Sequence, residues 1–174
     1  MREISEVIVH CTATPEGRKV SVEEIDRWHK DRGWSGIGYH YCIQLDGKIS
    51  KGRDIKIPGA HCKGRNKRSV GITYVGGVDS EMNPCDTRTD AQIDSLKYLI
   101  GYLCASYPGV KVYGHRDFSS KACPSYDAKE EYKKIRNNKD DHPKQLVGWV
   151  GICCSYSGKW FGGYAGKVTT KGGL

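Results

Sequence analysis

The stretch EVIVH, residues 6–10, is a short run of mostly β-branched side chains that ends in a histidine. Such a run predicts a buried strand. The segment that follows, CTATPEGRK at residues 11–19, has the Pro and Gly content of a turn. We therefore expect His10 to lie where a buried strand ends.

Three further segments predict strands of the same sheet. GYHYCIQLDGKIS, residues 38–50, alternates and then turns at an Asp-Gly pair, a pattern typical of a hairpin. SVGITYVGG, residues 69–77, is a strand closed by paired glycines. VKVYGH, residues 110–115, is the last predicted strand, and like the first it ends at a histidine, His115.

Helices are predicted between and after these strands. Two of them begin with the spacing of a capping box, Ser21 with Glu24 and Thr89 with Gln92, and apolar residues recur with helical period behind each box. A third, amphipathic helix is predicted over residues 127–138. Strands interspersed with helices predict an α/β or α+β fold, in which a sheet is flanked by helices.

The length and composition predict one domain with an appendage. The chain has 174 residues, of which 37% are hydrophobic, enough for a single core. Its longest apolar runs are too short to cross a bilayer. The first ten residues, MREISEVIVH, lack the apolar stretch of a secretory signal, so we expect synthesis in the cytoplasm.

The character of the chain changes after Asn138. Residues 139–174 are rich in glycine, with Trp149, Trp160 and Phe161 scattered among them, and neither helical nor alternating periodicity persists. We therefore expect a folded domain over residues 1–138 and a C-terminal extension of unknown role over 139–174. A small aromatic module, a partly ordered tail and a remnant without function all remain open for the extension.

The formal net charge of +8 favours a polyanionic partner, either nucleic acid or an anionic cell wall. The sequence has no Arg/Lys-rich helix, no zinc-finger spacing and no RNA-binding aromatic signature. We therefore expect no nucleic-acid partner.

The eight cysteines raise the question of whether any of them acts in catalysis, forms a disulfide or binds a metal. They are scattered, and no secretory signal accompanies them, so most are expected to be free thiols packed in the core. Cys123 differs, because it follows His115 in the loop that leaves a strand. It could be a nucleophile with His115 as its base, half of a disulfide, or a metal ligand. With His10 brought in by the fold, His10, His115 and Cys123 would form a zinc site with one open position. Spacing alone leaves these alternatives open.

Five blocks of the sequence together resemble a known family. They occur in family order and span about residues 5–137. The chain resembles the zinc-dependent N-acetylmuramoyl-L-alanine amidases (type-2 amidases), in the phage-lysozyme branch of the superfamily that also contains peptidoglycan-recognition proteins. The blocks are IVHCTAT (8–14), WHKDRGWSGIGYHYCIQLDG (28–47), GAHCKGRN (59–66), SVGITYVGG (69–77) and GHRDFSSKACPSYD (114–127).

The resemblance implies an activity and a set of residues for it. The family hydrolyses the amide bond between N-acetylmuramic acid and L-alanine in peptidoglycan, on a central mixed sheet flanked by helices. Carried over by position, His10, His115 and Cys123 become the ligands of one Zn²⁺. Tyr39 and Lys121 become the catalytic pair, which handles the proton and the developing oxyanion. Cys123 would then bind metal and would not act as a nucleophile.

The same resemblance implies that His61 and Asn66, in GAHCKGRN, line the substrate cleft. Near the catalytic tyrosine, alternation with period two predicts that Tyr41 shares a face with Tyr39, whereas His40 points the other way and is structural.

Two other functions stay open beside the amidase. One is a non-catalytic peptidoglycan-binding module of the same fold, in which the cysteine ligand is typically lost. Cys123 is present here, which favours the enzyme. The other is a thiol hydrolase that uses Cys123 and His115 without a metal.

The resemblance also bears on where the protein acts. Peptidoglycan lies outside the membrane, so an enzyme made without a signal has to reach the wall by release or export. An endolysin-like phage enzyme, freed when another protein permeabilises the membrane, fits this expectation. We expect a monomer whose partner is peptidoglycan.

Overall fold

The computed structural model describes residues 2–135, and within them the chain forms a sheet that has EVIVH near its centre. The strands are β1 (Glu6–Cys11), β2 (Thr14–Pro15), β3 (Tyr41–Ile43), β4 (Ile49–Lys51), β5 (Ser69–Tyr74), β6 (Gly77–Val78) and β7 (Lys111–Gly114). All six residues of β1 are buried, as the β-branched run predicts.

The main sheet has five strands in the order β4-β3-β5-β1-β7. The neighbours β3, β5, β1 and β7 run parallel, and β4 pairs antiparallel with β3 as the second arm of the predicted hairpin. The expected mixed sheet is therefore confirmed. Strands β2 and β6 form a separate short parallel pair.

Helices α1 (Val22–Asp31), α2 (Asp90–Ser106) and α3 (Ala128–Glu131) accompany the sheet in residues 2–135. The Ser21 hydroxyl accepts a hydrogen bond from the Glu24 amide at the start of α1. At α2 both bonds of the Thr89–Gln92 capping box are present. None of these helices combines the length and hydrophobicity needed to traverse a bilayer.

The predicted third helix is wrong in length. It was expected over residues 127–138, but α3 has four residues and the chain turns after Glu131. Tyr132 is almost completely buried there, and its hydroxyl lies 3.0 Å from the Tyr126 hydroxyl and 3.1 Å from the Arg88 guanidinium. Burial of this side chain therefore overrides the helical periodicity of the sequence. Residues 136–138, and the whole extension 139–174, lie outside the described residues.

Both faces of the sheet are covered. On one face α2 packs four leucine or isoleucine side chains against the sheet, among them Leu96 and Leu103, which contact the cluster that contains Val7 and Val9. On the other face Ile25 of α1 belongs to a second cluster of buried apolar residues. By alternation along β1, His10 lies on the face opposite Val9.

The predicted common face of Tyr39 and Tyr41 is also wrong. Tyr41 packs against the α2 cluster, whereas Tyr39 packs against the α1 cluster. The reason is that β3 begins only at Tyr41, so period-two alternation does not extend back to Tyr39. This places the Tyr39 ring on the α1 side of the sheet.

Candidate metal centre

Two parallel strands bring His10 and His115 together. β1 and β7 are hydrogen-bonded neighbours, and Val9 is in register with Gly114. The residue after Val9 and the residue after Gly114 are both histidines, and they therefore lie at the same end of the two strands. The two imidazole ring centroids lie 4.6 Å apart, with His10 buried and His115 partly exposed.

Cys123 comes from the loop after β7, and hydrogen bonds to the sheet hold this loop in place. The Cys123 carbonyl accepts from the Arg116 amide at 2.6 Å, which closes the loop on itself. The Tyr74 hydroxyl donates to the Pro124 carbonyl at 2.7 Å, and the Ser125 hydroxyl donates to the Gly77 carbonyl at 2.7 Å. These bonds fix the thiol beside the ends of β1 and β7.

The three side chains form a compact donor set. One ligand atom from each of His10, His115 and Cys123 lies within 4.8 Å of the other two. The separation between His10 Nδ1 and Cys123 Sγ is 3.8 Å. Tetrahedral zinc with ordinary Zn–N and Zn–S bond lengths places such donors about 3.6 Å apart. Two imidazoles and a thiolate suit zinc, and the partial exposure of His115 and Cys123 leaves one side open to solvent.

Burial keeps the two histidines in the form that binds metal. It lowers the pKa of His10 well below its ordinary value, and the charges of His61, His115 and Lys121 lower it further. Burial also lowers the pKa of His115, and Lys121 adds to that effect. Both rings are therefore neutral at pH 7, and a neutral imidazole is the form with a free lone pair for a metal.

The thiol of Cys123 is protonated in the absence of a cation. Its hydrogen bond with the Cys11 side chain and its burial raise the pKa of Cys123 far above the ordinary value for a thiol. The Cys11 backbone N–H, which points at Cys123 Sγ from 3.3 Å, acts in the opposite direction because it stabilises a thiolate. A divalent cation stabilises the thiolate much more strongly than one N–H, so this environment suits a metal ligand better than a free nucleophile.

Tyr39 and Lys121 lie beside the donor set. The Tyr39 ring centroid is 5.1 Å from that of His10. Burial raises the pKa of the Tyr39 hydroxyl, and the nearby Cys123 and Cys11 thiols raise it further. Tyr39 is thus a neutral hydrogen-bond donor at pH 7. Lys121 is exposed, and its charge acts on both histidines of the set. The structure therefore brings five of the seven predicted site residues to one edge of the sheet.

The remaining two, His61 and Asn66, lie outside the donor set, on the loop before β5. The His61 side chain is buried, and its Nδ1 lies 3.0 Å from Nε2 of His10. The Asn66 side-chain oxygen accepts from the backbone amides of His61 and Cys62, at 2.9 and 3.0 Å, and so shapes the loop between them. The expectation that both line the substrate cleft stays a prediction.

Sequence reasoning missed two features of this centre. The contact between His61 and His10 depends on the path of the loop after Gly59, for which the sequence has no periodic signal. The Cys11 amide as a donor to the Cys123 sulfur was missed as well. A signal for it exists, because Cys11 directly follows a ligand at the end of a strand, where backbone groups are free to bond with side chains.

Comparisons with known proteins identify the family of this chain. Residues 1–126 match the sequence model of the N-acetylmuramoyl-L-alanine amidase family. The endolysin of Klebsiella phage KP32 is 42% identical over 141 residues, which is 81% of this chain and 93% of the endolysin. The solved structure of N-acetylmuramoyl-L-alanine amidase LysC from Clostridium intestinale URNW has a TM-score of 0.64 and 32% identity, covering 77% of this chain and 83% of LysC. Wild-type Drosophila PGRP-LB has a TM-score of 0.63 and 28% identity, covering 77% of this chain and 82% of that chain. The chain belongs to the N-acetylmuramoyl-L-alanine amidase family.

Proposed function

We propose that the protein is a zinc-dependent amidase that hydrolyses the bond between N-acetylmuramic acid and L-alanine in peptidoglycan. The observation that carries the proposal is the donor set of His10, His115 and Cys123, whose ligand atoms lie within 4.8 Å of one another in a chain of this family. Three protein ligands with one open position are the arrangement of a catalytic zinc site, whereas structural sites use four.

His10, His115 and Cys123 would hold a single Zn²⁺. When bound, zinc supplies Lewis acidity, which brings the pKa of a water molecule toward about 7 and polarises the amide carbonyl. The protein contributes the position of the three donors, the neutral state of the two imidazoles and the Cys11 amide that supports the sulfur.

Lys121 and Tyr39 would act on the substrate itself. The Lys121 ammonium is exposed on the loop that carries Cys123, so it can approach the amide oxygen as negative charge develops there. The Tyr39 hydroxyl is neutral at pH 7, and it can donate a hydrogen bond to that oxygen or pass a proton to the leaving nitrogen. We assign oxyanion stabilisation to Lys121, because a permanent cation stabilises charge more than a neutral donor does.

The similarity to phage endolysins supports a lytic role. We propose that the protein acts as a monomer on the cell wall after a separate protein has opened the membrane. The net charge of +8 favours association with anionic wall polymers.

A peptidoglycan-binding module without catalysis is the second candidate, because several relatives of this chain carry the name peptidoglycan-recognition protein. The presence of all three donors favours the enzyme over the binding module. A metal-independent thiol hydrolase is disfavoured, because the pKa of Cys123 is raised and a thiol nucleophile requires a lowered one.

Mass spectrometry of digested peptidoglycan tests the proposed bond. We expect free stem peptides that begin with L-alanine, together with glycan strands whose lactyl carboxyl groups are unsubstituted. Shortened glycans with intact peptides would indicate a glycosidase, and cleavage within the peptide would indicate an endopeptidase. Binding without any product would support the second candidate.

A further inference from the structure

We propose that His61 is a positioning residue that fixes the ring of His10 so that Nδ1 of His10 faces the metal. The inference rests on the proposed zinc centre and assigns His61 a task within it. The two rings meet nearly edge to face, with centroids 5.0 Å apart and an interplanar angle of 83°. His10 Nε2 and His61 Nδ1 are 3.0 Å apart, which is hydrogen-bond distance.

The positions of the protons on the two imidazole rings follow from the hydrogen bonds of Ser69, which lies next to His61 on the side away from His10. The Ser69 hydroxyl has one hydrogen, which it donates to the Arg65 carbonyl at 3.0 Å. Its oxygen, 3.2 Å from Nε2 of His61, can then only accept, so Nε2 of His61 carries the proton. Nδ1 of neutral His61 is therefore an acceptor, and Nε2 of His10 has to be the donor.

This tautomer leaves the correct nitrogen of His10 free. With its proton on Nε2, His10 has its lone pair on Nδ1, the atom that lies 3.8 Å from Cys123 Sγ. A metal-bound histidine commonly donates its second N–H to a partner that sets its tautomer and its ring orientation. In this chain the partner is a second imidazole, whose own proton is anchored on Ser69.

Two glycines make room for the His61 ring. A Cβ atom on Gly71 would lie 2.5 Å from Cδ2 of His61, and one on Gly59 would also overlap that atom. Gly71 is buried in the interior of β5, where glycine weakens a strand because it packs no side chain. The backbone of the sheet thus has a slot in which the imidazole is held.

A matched control is available in His40. His40 is also buried, and its Nδ1 accepts from the Gly71 amide at 2.9 Å while its Nε2 lies 3.0 Å from the Ile57 carbonyl. Its two nitrogens thus contact backbone groups and the Arg2 guanidinium, whose Nη2 lies 3.2 Å from Nε2, and neither bonds to a residue of the donor set. A substitution at His40 therefore perturbs the same region of the core without breaking the bond to His10.

The test measures zinc affinity by competition with a chromophoric chelator. We expect His61→Leu, which fills the slot but offers no acceptor, to weaken zinc binding by about 10–100-fold. His61→Asn places an amide oxygen near the position of Nδ1 and should restore most of that affinity, and His40→Asn should leave the affinity unchanged. Equal affinity in His61→Leu and the unsubstituted protein would overturn the inference. So would an equal loss in His40→Asn.

A second measurement uses the unsubstituted protein, so its result does not depend on whether a variant folds. Long-range ¹H–¹⁵N NMR spectra identify the protonated nitrogen of each histidine ring, and we expect the proton on Nε2 of both His10 and His61. A proton on Nδ1 of His10 would overturn the inference. If the unsubstituted protein bound no zinc, the proposed function would fail, while the NMR result would still decide whether His61 orients His10.

Discussion

The imidazole rings of His10 and His115 lie 4.6 Å apart, although the two residues come from strands near opposite ends of the described chain. Their proximity follows from one feature of the sheet, the parallel register of β1 and β7. A shift of one residue in that register would turn one of the two side chains to the other face. The donor set thus depends directly on the pairing of the edge strand β7 with β1.

Cys123 is expected to be indispensable for zinc retention. We predict that Cys123→Ser, after dialysis against a chelator, retains far less than the roughly one zinc per chain of the unsubstituted protein, because an alcohol is a much poorer ligand than a thiolate. Elemental analysis measures the zinc content. Cys85→Ser, at an exposed cysteine, is the control and should keep its zinc. Full zinc content in Cys123→Ser would remove the cysteine from the ligand set.

We expect Lys121 to contribute to turnover but not to metal binding. We predict that Lys121→Ala keeps its zinc but lowers kcat by about 10²–10³-fold, the usual loss when a donor to a developing oxyanion is removed. Lys97→Ala, at an exposed lysine on α2, should have the parent rate. The rate of release of stem peptides from purified peptidoglycan measures the effect. Parent-like turnover in Lys121→Ala would show that its assigned role is wrong.

His40 is expected to make the metal-free protein sensitive to acid. Burial lowers the pKa of His40 from near 6.5 to about 4; the hydrogen bond to the Ile57 carbonyl and the charge of Asp54 act in the opposite direction, whereas the charges of Arg2 and Arg53 lower the pKa further. The His40 side chain therefore takes up a proton near pH 6.5 in the unfolded chain, but only near pH 4 in the folded protein. Stability from this residue is complete above pH 6.5 and is lost as the pH falls to 4, by about 1.4 kcal/mol per pH unit.

Urea unfolding of metal-free protein between pH 7 and pH 5 checks this prediction. In His40→Asn the amide oxygen can accept from the Gly71 N–H, but it does not titrate in this range. The slope of unfolding free energy against pH should therefore be shallower than in the parent, by an amount that approaches about 1.4 kcal/mol per pH unit as the pH nears 5. Identical slopes would mean that His40 is protonated equally in the folded and unfolded states.

The extension over residues 139–174 is expected to be dispensable for chemistry. All seven candidate site residues lie between His10 and Cys123. We predict that a chain of residues 1–138 folds and hydrolyses a soluble muropeptide at the parent rate. Loss of that activity would place the extension within the catalytic domain. Pelleting with intact cell walls tests targeting separately, and normal wall binding by residues 1–138 would rule out a targeting role for the extension.

The main features of the fold could be predicted because local signals agreed with tertiary packing. EVIVH is a β-branched run and forms a fully buried strand, and the Thr89–Gln92 box opens α2 where the spacing indicates. Where tertiary contacts dominate, the local signal failed. Burial of Tyr132 ends α3 early, and the irregular chain before Tyr41 reverses the face of Tyr39.

The candidate site was predictable in part for the same reason. His10 and His115 each end a predicted strand, so adjacent strands were enough to bring them together. Tyr39 and Lys121 have no local signal and were identified through family resemblance alone. The bond between His61 and His10 arises from the loop after Gly59 and from space left by Gly71, neither of which a pattern of apolar residues encodes.

Zinc titration of the metal-free protein, with peptidoglycan hydrolysis as the readout, tests the central claim most directly. The account predicts that extensive chelation abolishes the release of stem peptides. It also predicts that added zinc restores the activity in proportion to the amount bound, up to about one ion per chain. Full activity in a sample shown by elemental analysis to be free of metal would contradict it.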